Sequence, residues 1–309
     1  MSILDKQIQA FVDYASQFYP PDAVDASVAQ QRRWYNDFCA ALRAPWPADL
    51  QALDSLVPCP QDGHLVPVRT YTVGAVASKG QVLYIHGGGF VVGGLASHDD
   101  ICAEMAYRCQ IDVVAVDYRL APEYQYPCDL HDCLAVLDYL LANDHQVVLA
   151  GDSAGGALSA CMANKRPDAC GTGILGQILI YPCLVNDWHT PSMLKHAHGP
   201  LLTRDDMQYY LLMRANGAAP PLGDAGFAPL ACDNLSYLPP THLFPAAIDP
   251  LCDDCGIYAE ALRQAGVPVT NHLLLGQGLV HGHLRARRIS DKAQLNFVGI
   301  CDVVNQLLA

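Results

Sequence analysis

The chain has 309 residues, 51% of them hydrophobic and 16% charged, with a formal net charge of −13. That length supports a core without help from disulfides or metal, and the composition is that of a folded chain, not a disordered one. The acidic balance repels phosphate backbones and anionic lipid, so neither nucleic acid nor membrane is an expected partner.

Residues 1–14 mix Asp5, Lys6 and Asp13 with single apolar residues. This lacks the order of a secretory signal and reads as an amphipathic helix. Phe11, Tyr14, Ala15 and Phe18, then Trp34, Phe38, Ala41 and Leu42, recur at helical spacing. Pro45 and Pro47 break that pattern. Asp54–Val57 and Leu65–Val73 read as strands joined by a turn at Asp62-Gly63.

From Gln81 strands and helices alternate. Strands are predicted at Gln81–Ile85, Asp112–Val116, Gln146–Ala150 and Gly173–Tyr181. Helices are predicted at Ser97–Cys109, Pro127–Leu141 and Ser153–Lys165. This rhythm predicts a parallel sheet with helices on both faces, its apolar strands buried on both sides. It stops near Pro182. Residues 185–226 are rich in Pro, Gly and His and hold one clear helix at about 204–215, with Thr203 and Asp206 as its capping box. The rhythm returns with a strand at His242–Ile248, a helix at Asp253–Ala265, a strand at Pro268–Leu275 and a helix at about Arg288–Leu308. An insertion of this kind sits over the carboxyl ends of the strands, where ligands bind. No stretch approaches the roughly 20 apolar residues of a membrane span. Thirteen cysteines without an export signal suggest reduced thiols and a cytoplasmic location.

Gly151-Asp152-Ser153-Ala154-Gly155 carries the strongest chemical signal. It is a G-x-S-x-G between a predicted strand and a predicted helix, the context of a nucleophile elbow. His86-Gly87-Gly88-Gly89 follows an earlier strand. Its exposed amides, with that of Ala154, suit an oxyanion hole. Phosphate binding is the competing reading of this loop, but neither G-x-x-x-x-G-K-[ST] nor G-x-G-x-x-G is present. A nucleophilic serine needs a histidine base and an orienting acid, in the order Ser, acid, His. His281 and His283 alone lie in a loop between the last strand and the last helix; His281 is the candidate and His283 the fallback. Asp249 follows a predicted strand directly, whereas Asp253 and Asp254 read as an acidic first helical turn.

Three weaker signals have simpler explanations. Cys252-x-x-Cys255 lacks the further ligands of a zinc site and the setting of a redox site, so packing explains it. His189, His196 and His198 show no helical H-x-x-x-H, and no metal is expected. Asn234-Leu235-Ser236 is a glycosylation sequon of consequence only in a secreted protein.

Together, His86–Phe90, Asp117–Glu123, Gly151–Gly156, Asp249-Pro250-Leu251 with Asp253, and His281-Gly282 resemble the hormone-sensitive-lipase-like family of α/β-hydrolases, the fold-3 esterases. The resemblance implies an α/β-hydrolase fold with a mostly parallel eight-stranded sheet. It implies a helical cap made of residues 1–48 and an insertion at 185–230, over core segments 49–184 and 231–309. It implies hydrolysis of short-chain carboxylic esters without a cofactor, by a monomer or homodimer. Ser153 would be the nucleophile, His281 the base and Asp249 its orienter, with Gly88, Gly89 and Ala154 forming the oxyanion hole. His86 and residues 117–123 would support the glycine loop. The chain departs from many relatives at Cys252 (arginine), Cys255 (glycine) and His283 (an aromatic residue). An amidase, formamidase or lactonase on the same triad is the alternative, as is a small-molecule receptor, although such receptors typically lose the histidine. Phe11, Phe18, Trp34, Trp188, Met207, Tyr209 and Leu211 are candidates for the pocket wall or for the cap's own core.

Overall fold

The N-terminal helical pattern resolves into two helices, α1 (Lys6–Ala15) and α2 (Val28–Leu42). The structure, a computed structural model, describes residues 4–20, 22–74, 80–184 and 187–309. The first three residues of the expected N-terminal helix and the first two of the expected insertion lie outside that range. Asp5 caps α1 by accepting from the amides of Gln7 and Ile8, and Ser27 caps α2. Each cap satisfies amides that have no partner inside their helix.

An antiparallel hairpin follows, β1 (Leu50–Pro58) and β2 (Leu65–Val73). The predicted alternation then appears as β3 (Gln81–Ile85), α3 (Leu95–Cys109), β4 (Asp112–Val116), α4 (Cys128–Ala142), β5 (Val147–Asp152), α5 (Ala154–Asn164) and β6 (Ile174–Ile180). The insertion carries α6 (Pro191–Lys195) and α7 (Arg204–Arg214). The chain closes with β7 (Thr241–Phe244), α8 (Cys252–Gln264), β8 (Val269–Asn271) and α9 (Asp291–Leu307). Thr203 and Asp206 form the expected reciprocal cap on α7.

The eight strands form one sheet in the order β1-β2-β4-β3-β5-β6-β7-β8. Among the described strands β2 alone runs opposite to the other seven. The fold is that of an α/β-hydrolase. Along β3, Leu83 and Ile85 pack into one layer with Leu134 of α4, Leu158 of α5 and Leu262 of α8. Val82 and Tyr84 pack into the other with Phe11 of α1, Met105 of α3 and Phe297 of α9. A strand buried on both faces needs apolar residues at every position, which is why the β3 pattern is continuous and not alternating.

Four elements differ most from expectation. The first strand, expected at Asp54–Val57, runs over Leu50–Pro58. The strand expected at 242–248 ends at Phe244, because Pro245 has no amide hydrogen for the ladder. The strand expected at 268–275 ends at Asn271, and Leu273–Gly276 turns as a short 3-10 helix. The five-residue α6, capped by Thr190, is too short to leave a periodic signal. Among the described residues no helix is long and apolar enough to cross a membrane.

Candidate active site

The connection from β3 to β4 runs one way, and the next returns past β3 to β5. The two carboxyl ends of β3 and β5 therefore flank the point where a sheet of this kind leaves a crevice. Ile85 and Gly151 are register partners. The glycine loop after β3 and the serine turn after β5 consequently lie side by side.

Ser153 has φ 55° and ψ −119°, a region that side chains other than glycine seldom adopt. Its amide donates to the carbonyl of Ile180 (2.8 Å), tying the turn to β6. A Cβ on Gly155 would overlap the carbonyl oxygen of Ile85. Glycine there lets α5 begin directly against β3, with Ser153 at the helix N-terminus.

The histidine arrives by a different device. A single parallel bridge joins Ile248 to Val280 beyond the ends of β7 and β8. The next residue on each segment is Asp249 and His281. Asp249 Oδ2 is 2.7 Å from His281 Nδ1, and His281 Nε2 is 2.9 Å from Ser153 Oγ. Asp249 is fully buried, and its other oxygen accepts from the Leu251 amide (2.9 Å). The Tyr181 ring packs 4.8 Å from that of His281.

The sequence alternatives lie elsewhere. His283 is fully buried, with Nδ1 3.0 Å from the Val280 carbonyl and Nε2 3.1 Å from Asn296 Oδ1. Burial pushes it down to about 4. Asp253 accepts from the amide of Ser192 and Asp254 from that of Leu184. None of the thirteen cysteines is in a disulfide, and Cys255 is buried and Cys252 partly so. His189 is exposed beside Asp187. Among the described residues no three His, Cys, Asp or Glu side chains are grouped to hold a metal ion.

Gly88, Gly89 and Ala154 line the cavity that contains Ser153 and His281, and none of their amides donates to a protein acceptor among the described residues. The loop that carries them is braced from behind. His86 Nδ1 is 2.8 Å from the Gly87 carbonyl, and its ring stacks on Tyr118 at 4.3 Å. Burial and the neighbouring His98 push His86 down to about 3. Tyr118 donates to the His86 carbonyl (2.8 Å), and the Ala121 amide to that of Phe90 (2.9 Å). Arg32 of α2 donates to the carbonyls of Val91 and Ala121 and pairs with Glu123. Asp152 accepts from the Gly87 amide (3.0 Å) and the Tyr84 hydroxyl (2.9 Å). Burial opposes ionisation of Asp152, but His98, Arg285 and Tyr84 outweigh it and hold the carboxyl well below the usual range.

The cavity measures about 750 Å³. Phe11 and Phe38 from α1 and α2, with Met207, Tyr210 and Leu211 from α7, give it an apolar wall. Of the seven candidates, Phe11, Met207 and Leu211 reach it; Phe18, Trp34, Trp188 and Tyr209 do not line it. Tyr210, Tyr19 and Arg285 line it without having been singled out, since nothing local in the sequence shows which face of a helix meets a distant loop. Tyr210 covers Gly89 so closely that a Cβ there would strike its ring.

Residues 82–285 match the family model described as alpha/beta hydrolase fold. The chain is 36% identical over 254 residues to Esterase LipI of Mycobacterium tuberculosis, covering 78% of each chain. It is 30% identical over 307 residues to Ethyl acetate hydrolase of Pseudomonas putida, covering 95% of this chain and 94% of that one. The solved structure of a hyperthermophilic esterase from the archaeon Pyrobaculum calidifontis superimposes with a TM-score of 0.85 at 27% identity, covering 100% of both chains. With this sheet and these motifs, the chain belongs to the hormone-sensitive-lipase-like, fold-3 branch of the α/β-hydrolases.

Proposed function

We propose that this chain is a serine carboxylesterase acting on short-chain esters through an acyl-enzyme. The observation that carries the reading is one continuous hydrogen-bond line, Ser153 Oγ to His281 Nε2 and His281 Nδ1 to Asp249 (2.9 and 2.7 Å), opening onto three amides without protein acceptors. Ser153 Oγ attacks the ester carbonyl carbon while His281 Nε2 takes its proton. The resulting oxyanion accepts from the amides of Gly88, Gly89 and Ala154. Collapse expels the alcohol, which leaves with the proton from His281. Water then enters, gives its proton to His281 and releases the acid by the same steps. Asp249 keeps the imidazole in the tautomer that can accept from serine and stabilises the imidazolium.

In this reading α1, α2 and the 185–230 insertion form the cap, and their apolar side chains hold the acyl or alcohol part. The names of the relatives, one an ethyl acetate hydrolase, support an ester substrate of modest size. The test is hydrolysis of p-nitrophenyl esters from acetate to decanoate, with Ser153→Ala beside the wild type. Turnover should peak at short chains and fall by roughly 10⁴–10⁶-fold in the variant. Near-normal turnover in a folded Ser153→Ala protein would end the proposal.

A further inference from the structure

Three arginines are more than nine-tenths buried: Arg214, Arg285 and Arg287. A buried guanidinium needs a carboxylate or a full set of acceptors to offset its lost hydration. Arg214 Nε meets Asp129 at 2.6 Å, and Arg287 pairs with Asp100 and Glu104. Among the described residues no carboxylate oxygen bonds to Arg285; the charge of Asp152 reaches it only across His98. Its Nη1 donates to the Ser97 carbonyl (2.7 Å), and its Nη2 lies 3.2 Å from both the Tyr35 hydroxyl and His98 Nε2. Nε donates to no protein acceptor among the described residues.

The His98 contact does not complete the set. His98 Nε2 is also 3.2 Å from Asp152 Oδ1, and burial favours the neutral ring. A neutral imidazole that donates from Nε2 to Asp152 has no lone pair there for Arg285, and its Nδ1, 3.5 Å from Nη2, already faces the Ser97 hydroxyl at 2.8 Å. Asp152 in turn already serves Tyr84, Gly87 and His98. Arg285 therefore keeps unsatisfied N–H donors, with its charge offset only at a distance by Asp152, and it lines the same cavity as Ser153.

We propose that Arg285 is a specificity-determining residue that receives a carboxylate of the substrate, so that the preferred substrate is a short ester bearing one carboxylate on its acyl or alcohol part. The inference rests on the esterase reading above. A guanidinium takes a carboxylate through paired, charge-assisted hydrogen bonds. Hydrolysis of such an ester consumes one water and releases an alcohol and an acid, one of them carrying the extra carboxylate. Asp22, Asp25 and Asp205 also line the cavity, so long-range attraction does not favour an anion. The preference arises on contact with Arg285.

The test compares kcat/KM for two matched pairs by pH-stat. Monoethyl succinate is set against ethyl 4-methylpentanoate, and 3-acetoxypropanoate against 3-methylbutyl acetate. The wild type should favour the anion in at least one pair by about 10–100-fold, the range of a hydrogen bond to a charged group; the pair that responds identifies the side of the ester bond. Arg285→Gln should bring that ratio to unity or below, and Arg285→Lys should retain part of it. A wild-type ratio at or below one in both pairs overturns the proposal without needing any variant to fold. An unchanged ratio in Arg285→Gln overturns it as well. Failure to hydrolyse even the neutral esters removes the esterase reading itself.

Discussion

The carboxyl edge of the sheet and the helices above it meet at one cavity but are built in opposite ways. At the sheet edge the backbone does the positioning. Strand pairing sets Ile85 beside Gly151 and Ile248 beside Val280, and the next few residues are Ser153, the glycine loop, Asp249 and His281. Above it, α1, α2 and α7 contribute side chains such as Phe11, Phe38 and Leu211, whose exact size matters less than their apolar character. The difference teaches that chemistry should be brittle to substitution and substrate range should be soft.

The largest expected effects lie on the edge. After Ser153→Ala, Asp249→Asn should be the most damaging change. It preserves the shape of a buried side chain but should cost about 10⁴-fold in kcat, because the amide orients the imidazole in the wrong tautomer. Steady-state kinetics that showed a loss below tenfold would move the orienting role away from Asp249. Gly89→Ala should cost roughly 10²–10³-fold, the range for an oxyanion donor, because the residue has φ 60° and its new methyl would strike Tyr210. Retained kcat would mean that Tyr210 gives way to the methyl and the loop keeps its shape.

A smaller effect follows from the buried histidines of the same edge. Burial lowers His86 to about 3 and His283 to about 4, whereas histidine in an unfolded chain titrates near 6.5. Between these values the unfolded chain binds protons that the folded chain does not, so stability is lost as pH falls from about 6.5 towards 4. Calorimetry at pH 7, 6 and 5 should show a falling Tm; a constant Tm would contradict the assignment. The roof should respond least. Leu211→Ala, within a wall shared by several apolar residues, should change kcat on acetate esters by less than tenfold while shifting the chain-length optimum upward. A loss comparable to that of Gly89→Ala would dissolve the contrast.

The same contrast explains what could be read from the sequence. β3 and β4 have the bounds their apolar runs predict, because a doubly buried strand leaves a continuous signal. Ser153 and His281 were legible as candidates because each stands in a glycine-bearing segment after a strand. Asp249 was legible too, although four residues from Pro245 to Ile248 separate it from β7, and it is the Ile248–Val280 bridge that brings it to the histidine. That bridge has no local signature. Nor do the positions of Tyr210 and Arg285, which depend on how helices and loops far apart in the chain are packed. Helical spacing marked both Phe11 and Phe18 as buried-face residues, but only tertiary packing makes Phe11 part of the cavity.

Arg32 gives the molecule a mechanical constraint. From one face of α2 it holds the carbonyls of Val91 and Ala121 and the carboxylate of Glu123, and Val91 is itself bonded back to Gly88. A bulky guest that lifted α2 would pull on the segment that carries the Gly88 and Gly89 amides. A shift of α2 and a shift of the glycine loop are therefore one motion. Loosening α2 to admit larger molecules would slow turnover of the small ones, and α7 is tied into the same linkage through Tyr210 over Gly89 and through Tyr209, which accepts from Gln31 of α2.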